Sequence, residues 1–103
     1  MEFVKSKINQ YPVFVFSKSH CPYCTAAKNV LNSTGVQYGV EEIENRSDCS
    51  QIQDALQQIT GARTVPRVFI GGKCIGGGSD TQSLHQNNRL VPLLKEAGAR
   101  FNC

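Results

Sequence analysis

The chain has no run of about 18 consecutive apolar residues, so nothing in it reads as a helical membrane span. Its first residues, Met1-Glu2-Phe3-Val4-Lys5-Ser6-Lys7-Ile8, are broken up by charge. They lack the apolar h-region of a secretory signal, and the expected address is the cytosol. There is no basic run interleaved with aromatic residues, and a formal net charge of +3 is too small and dispersed to suggest a nucleic-acid partner. Repeats, low-complexity tracts and linker-like stretches are also missing, so residues 1–103 are expected to form one domain. With 40% apolar and 18% charged residues, the composition suits a soluble chain burying a single modest core. A zinc site would need four ligands, usually as two close pairs. Cys49 and Cys74 are isolated and His20 and His85 have no neighbour at ligand spacing, so no metal is expected.

What the chain does have is cysteine: five of them, at 21, 24, 49, 74 and 103. An odd number cannot all pair within one chain, and cytosolic thiols are kept reduced. A chemical role is therefore expected for the close pair, in Cys21-Pro22-Tyr23-Cys24. Cys49, Cys74 and Cys103 are expected to be ordinary thiols. Cys103 is expected to be exposed and mobile, and to form adventitious dimers on oxidation.

The pair sits at a strand-to-helix junction. Pro12-Val13-Phe14-Val15-Phe16 is a short continuous apolar run of the kind that forms a buried strand. Ala26, Ala27, Val30 and Leu31 follow at helical spacing from Thr25 onward, with Gly35 as the stop. Val4 and Ile8 give one face of a short first helix. Val36, Tyr38 and Val40 alternate as a second strand. Ile52, Ala55, Leu56 and Ile59 give the clearest helix, with Ser47 as N-cap and Gly61 at its end. Arg67–Ile70 and Lys73–Ile75 flank Gly71-Gly72, a hairpin signal. Leu84 and then Leu90, Val91, Leu94 and Ala97 suggest one helix interrupted at Asn87-Asn88 or two short ones. Pro92 requires the first turn of the last helix. The order α-β-α-β-α-β-β-α is an α/β arrangement: a small mixed sheet with helices on both faces. A Cys-x-x-Cys beside such a βαβ unit reads as a redox motif.

Thiolate is the reactive form, and an ordinary cysteine is only about 3% ionised at pH 7. A helix N-terminus and nearby Lys18 both lower the pKa of Cys21, and His20 would help only when protonated. A drop of about 3.5 units raises the thiolate fraction roughly 30-fold, yet a Brønsted slope of about 0.4–0.5 weakens each thiolate by a similar factor. Attack is nearly unchanged; the gain lies in departure, since a stabilised thiolate leaves quickly. Cys21 is accordingly read as nucleophile and leaving group, and Cys24, one turn into the helix, as the resolving thiol.

Three blocks together resemble the dithiol glutaredoxins: Lys18-Ser19-His20-Cys21-Pro22-Tyr23-Cys24, Gly61-Ala62-Arg63-Thr64-Val65-Pro66-Arg67-Val68-Phe69-Ile70, and Cys74-Ile75-Gly76-Gly77-Gly78-Ser79-Asp80. The resemblance covers most of the chain. It implies a thioredoxin fold, with a central mixed four-stranded sheet, and a cis peptide bond between Val65 and Pro66 beside the thiols. It also implies glutathione as co-substrate, with the backbone of Val65 pairing with the tripeptide. Glutathione carries two carboxylates and one ammonium. Lys18, Arg63 and Arg67 could supply the cations, and Asp80 with the Gly77–Ser79 backbone could serve the other end. The glutathione-binding set implied by the resemblance is Lys18, Tyr23, Gln53, Arg63, Thr64, Val65, Pro66, Gly77, Ser79 and Asp80. Two positions depart from common patterns. Gly78 stands where some relatives carry a cysteine, and His20 replaces a small or hydroxyl residue.

The activity implied is a glutathione-dependent thiol–disulfide oxidoreductase. It would act on protein–glutathione mixed disulfides through Cys21 alone, and on protein disulfides through Cys21 and Cys24. Glutathione would recycle it, with glutathione reductase and NADPH upstream. Ribonucleotide reductase is a family-typical acceptor, and the chain is expected to be a monomer. Two other readings compete: an iron–sulfur carrier bridging two chains through Cys21 and glutathione, and a thioredoxin-type reductase. Pro22 and Cys24 weigh against the first. The absence of tryptophan before the motif weighs against the second.

Overall fold

The computed structural model describes residues 1–102, and the expectations for Cys103 lie outside the described residues. Five helices and four strands follow in the order α1 (Glu2–Gln10), β1 (Val13–Ser17), α2 (Pro22–Thr34), β2 (Gly39–Glu42), α3 (Cys49–Thr60), β3 (Arg67–Ile70), β4 (Lys73–Gly76), α4 (Gly78–Gln86) and α5 (Leu90–Glu96). The strands form one sheet in the order β2-β1-β3-β4. β1 runs parallel to β2, with Val15 opposite Val40, and antiparallel to β3, with Val15 opposite Val68. β3 and β4 close the expected hairpin.

The run at Val13–Phe16 is apolar throughout because β1 is central and covered on both faces. Side chains alternate across a strand, so Phe14 and Phe16 join Phe69 in a core with Val4 and Ile8 of α1 and Ile52 and Leu56 of α3. Val13 and Val15 join Val68 and Ile70 in the other, with Ala27 and Leu31 of α2 and Leu90 and Leu94 of α5. The first core is aromatic: Phe16 packs edge-on to Phe69, with ring centroids 6.0 Å apart and planes at 85°.

The sequence-based elements need three adjustments. α2 begins at Pro22 rather than Thr25, so both motif cysteines belong to its start; Gly35 stops it at φ 77° as expected. β2 begins only at Gly39. Val36 instead bridges antiparallel to Phe101, and Gln37 donates to Arg100 while Asn102 donates to Gly35, so this stretch is drawn to the chain's last residues. Ser47 is not the N-cap of α3. Asp48 holds that place without a side-chain cap, because its carboxylate is taken by Arg46 at 2.7 Å. Of the two alternatives for the last region the structure takes two short helices, with α4 starting at Gly78. Pro92 falls in the first turn of α5, where its missing N–H costs nothing.

Candidate active site

The carboxyl end of β1 sets the site. After Ser17 the chain leaves the sheet through Lys18–His20, and Cys21 becomes the N-cap of α2, with φ −96° and ψ 120° and Pro22 at the first helical position. Its sulfur therefore faces unpaired N–H groups of the first turn. Partial burial pushes the Cys21 thiol up. The Cys24 N–H, the Cys24 thiol, the Tyr23 N–H and the Lys18 charge outweigh that, and the net pKa lies below the ordinary thiol value. Cys24 is fully buried. Burial pushes its pKa up, and the neighbouring Cys21 adds to the rise. The backbone N–H of Lys18, donating to Cys24 Sγ over 3.3 Å, and the Ser17 hydroxyl only partly offset it. One turn of helix thus carries an accessible thiol poised to ionise and a buried thiol poised to stay protonated.

The other two motif blocks close around this turn. Cys21 Sγ lies 3.9 Å from the Val65 carbonyl oxygen, and the Val65–Pro66 bond is cis. Thr64 is exposed and Val65 half-buried beside the thiol. Gly77 is buried against the Pro66 carbonyl and the Arg67 guanidinium, whose Nε donates to the Pro66 oxygen at 3.0 Å. Gly78 lies against α2 so closely that a Cβ there would sit 2.7 Å from the Tyr23 carbonyl oxygen, which requires glycine in this packing. The Tyr23 side chain points outward, 63% exposed, rather than into the core.

Polar partners are more committed than the sequence suggests. Gln53, from α3, donates its amide to the Arg63 carbonyl at 3.0 Å and so steadies the Arg63–Val65 segment. Arg63 is paired with Asp54 at 3.0 Å rather than free. The Asp80 carboxylate accepts the Gly77 N–H at 2.9 Å, so the acid and one of the backbone donors expected to face a ligand serve each other at the start of α4. Ser79 is exposed beside them, and Lys18 is half-buried in the loop. Three participants were not anticipated: Ser17, Asp54 and Glu44. Glu44 accepts the Ser19 N–H at 3.1 Å and the Ser19 hydroxyl, gripping the loop just before Cys21. Among the described residues no group of three or more His, Cys, Asp or Glu side chains could hold a metal ion.

An N-capping thiol, a buried partner three residues on and a facing cis-proline loop are arranged for thiol–disulfide exchange. The glutaredoxin family model matches residues 13–75, which spans all of these parts. The chain belongs to the glutaredoxin family. It is 52% identical over 99 residues to a glutaredoxin of Ricinus communis, covering 96% of this chain and 97% of that one. It is 50% identical over 101 residues to glutaredoxin-1 of Homo sapiens, covering 95% of each. Among solved structures, the buckwheat glutaredoxin–glutathione complex superposes with a TM-score of 0.90 at 43% identity, over 94% of this chain and 88% of that one. Such neighbours share the thioredoxin fold, which is the fold of this glutaredoxin.

Proposed function

We propose that this glutaredoxin, a glutathione-dependent thiol–disulfide oxidoreductase, divides its work between the two thiols. The observation that carries the division is their contrast: Cys21 partly open at a helix N-terminus with its pKa lowered, Cys24 fully buried with its pKa raised. In the single-thiol cycle, Cys21 thiolate attacks the glutathione sulfur of a protein–glutathione mixed disulfide. The protein leaves as thiolate and is protonated, and a Cys21–glutathione disulfide forms. A second glutathione thiolate attacks that glutathione sulfur, forming glutathione disulfide and expelling Cys21 as thiolate. A lowered pKa favours this last departure.

In the two-thiol cycle, Cys21 attacks a protein disulfide and Cys24, once deprotonated, attacks the Cys21 sulfur. The substrate leaves fully reduced and a Cys21–Cys24 disulfide remains. Two glutathiones reopen it and become glutathione disulfide, which NADPH reduces through glutathione reductase. The Val65 backbone, Thr64, Tyr23 and Lys18 surround Cys21 where glutathione would lie. Arg63 and Asp80 would serve its charged ends after exchanging their present partners. We assign the chain to the cytosol, where glutathione is kept reduced, and to a monomeric state. Proteins carrying glutathione or reducible disulfides are the substrates, ribonucleotide reductase being one candidate.

The test is NADPH-coupled turnover of a small glutathione mixed disulfide by the wild type, Cys21→Ser and Cys24→Ser. Activity lost in Cys21→Ser and kept in Cys24→Ser supports the division. A wild type that is inactive with its thiols reduced sinks the reading.

A further inference from the structure

Three acids close the second strand and its exit, and their partners differ. Glu41 pairs with Arg46 at 3.1 Å and Glu42 with Lys28 at 2.7 Å. Glu44 is instead spent on a neutral residue, Ser19, 25 positions earlier in the chain, accepting both its N–H and its hydroxyl. Two charge-assisted hydrogen bonds on one residue fix its position as well as its direction. Ser19 adjoins Lys18, whose N–H points at Cys24 Sγ over 3.3 Å and whose carbonyl accepts the Cys21 N–H at 3.2 Å. The Lys18 side-chain charge is also among the groups that favour the Cys21 thiolate. The path from Glu44 to the thiol turn is therefore short: Ser19 donates to Glu44, the peptide bond joins Ser19 to Lys18, and hydrogen bonds join Lys18 to the Cys21 backbone and to the Cys24 sulfur.

We propose that Glu44 is a positioning residue of the redox site, a clamp from the β2–α3 connection that holds the Lys18–His20 loop so that Lys18 serves both thiols. The Glu44 carboxyl is held below its usual range by the Ser19 hydroxyl, its own backbone N–H and the Ser19 N–H. It stays ionised, and the clamp stays shut, throughout the range in which Cys21 titrates. The charged and titratable groups facing Cys21 are Lys18 and the Cys24 thiol.

Positioning and simple electrostatics predict opposite signs. Glu44 is an anion near a thiol that must become an anion, so deleting its charge alone would favour the thiolate and speed alkylation. Loss of positioning does the reverse, because Lys18 no longer holds its place. The experiment is the pH dependence of iodoacetamide alkylation, followed at Cys21 by mass spectrometry, for wild type, Glu44→Ala and Glu44→Gln. Glu44→Ala should slow alkylation below neutral pH by about threefold, a size suited to an exposed electrostatic contact. Glu44→Gln, whose amide oxygen can still accept from Ser19, should recover at least half of that loss. Faster alkylation in both variants, or no change in either, overturns the clamp. The inference rests on Cys21 being the attacking thiol, which wild-type turnover tests independently. An inactive wild type would sink that reading, whereas alkylation kinetics decide the clamp alone.

Discussion

Cys21 and Cys24 share one motif at the start of one helix, yet their surroundings drive them apart. Cys21 caps the helix, where N–H groups lack partners and Lys18 adds its charge. Cys24 lies inside the first turn with no exposed surface, and burial dominates. Three residues of separation are enough because the helix-end field falls off within a turn, whereas desolvation acts in full as soon as water is excluded. Reactivity in this glutaredoxin is thus set by depth along the helix axis more than by residue type.

The sharpest way to break the comparison is to remove each sulfur in turn. Cys21→Ser should lower all disulfide-exchange turnover by at least about 10³-fold, since no other activated nucleophile adjoins the site. Cys24→Ser should keep turnover of glutathione mixed disulfides within about tenfold of wild type, while losing catalytic reduction of a protein disulfide. Equal losses in the two variants would erase the distinction.

A second route erases the difference in depth. Gly78→Ala would put a methyl group 2.7 Å from the Tyr23 carbonyl oxygen and force α4 away from the turn that carries both thiols. Thermal or denaturant unfolding should show a loss of about 1–3 kcal/mol, the usual cost of overpacking. Alkylation of Cys24 in the native protein should become faster. Unchanged stability would mean that α4 yields freely and does not enforce the burial.

The contrast also has a signature in stability against pH. Cys21 is lowered in the folded state, so the unfolded chain holds its proton longer. From the folded Cys21 pKa up to the ordinary value of 9.0, stability of the reduced protein should rise with pH. Cys24 is raised, so above 9.0 the unfolded chain loses its proton first and stability should fall. Denaturant midpoints of the reduced protein should therefore pass through a maximum near the ordinary thiol value. Cys21→Ser should remove the rising limb and Cys24→Ser should soften the falling one. The smallest of these effects belongs to Lys18→Gln. With a partly exposed charge removed, Cys21 alkylation below neutral pH should slow by about fourfold, and Cys24 alkylation should not change.

Much of this was legible in the sequence because it is local or periodic. The continuous apolar run Pro12-Val13-Phe14-Val15-Phe16 announced a buried strand, and the spacing of Ile52, Ala55, Leu56 and Ile59 a helix face, of which Ile59 stays exposed. Cys21 before Pro22 announced a thiol at a helix start, and the three motif blocks do meet in space. What escaped depends on partners distant in the chain. Val36 looked like strand because it alternates with Tyr38 and Val40, but Phe101 claims it. Ser47 looked like a cap, but Arg46 reorganises the turn by taking the Asp48 carboxylate. Arg63 reads as a cation for the ligand, but Asp54 pairs with it. The grip of Glu44 on Ser19 spans 25 positions and leaves no periodic trace.

The bridge between Val36 and Phe101 also matters for anyone handling the molecule. Together with the bonds from the Asn102 N–H to Gly35 and from the Gln37 N–H to Arg100, it staples residues 100–102 to the far end of α2. That helix behaves as a beam held at two supports, one at Cys21 and one at Gly35, about 20 Å apart at 1.5 Å per residue. A label or fusion joined after Asn102 would load the second support, while one joined ahead of Met1, on α1 across the sheet, would leave the beam alone.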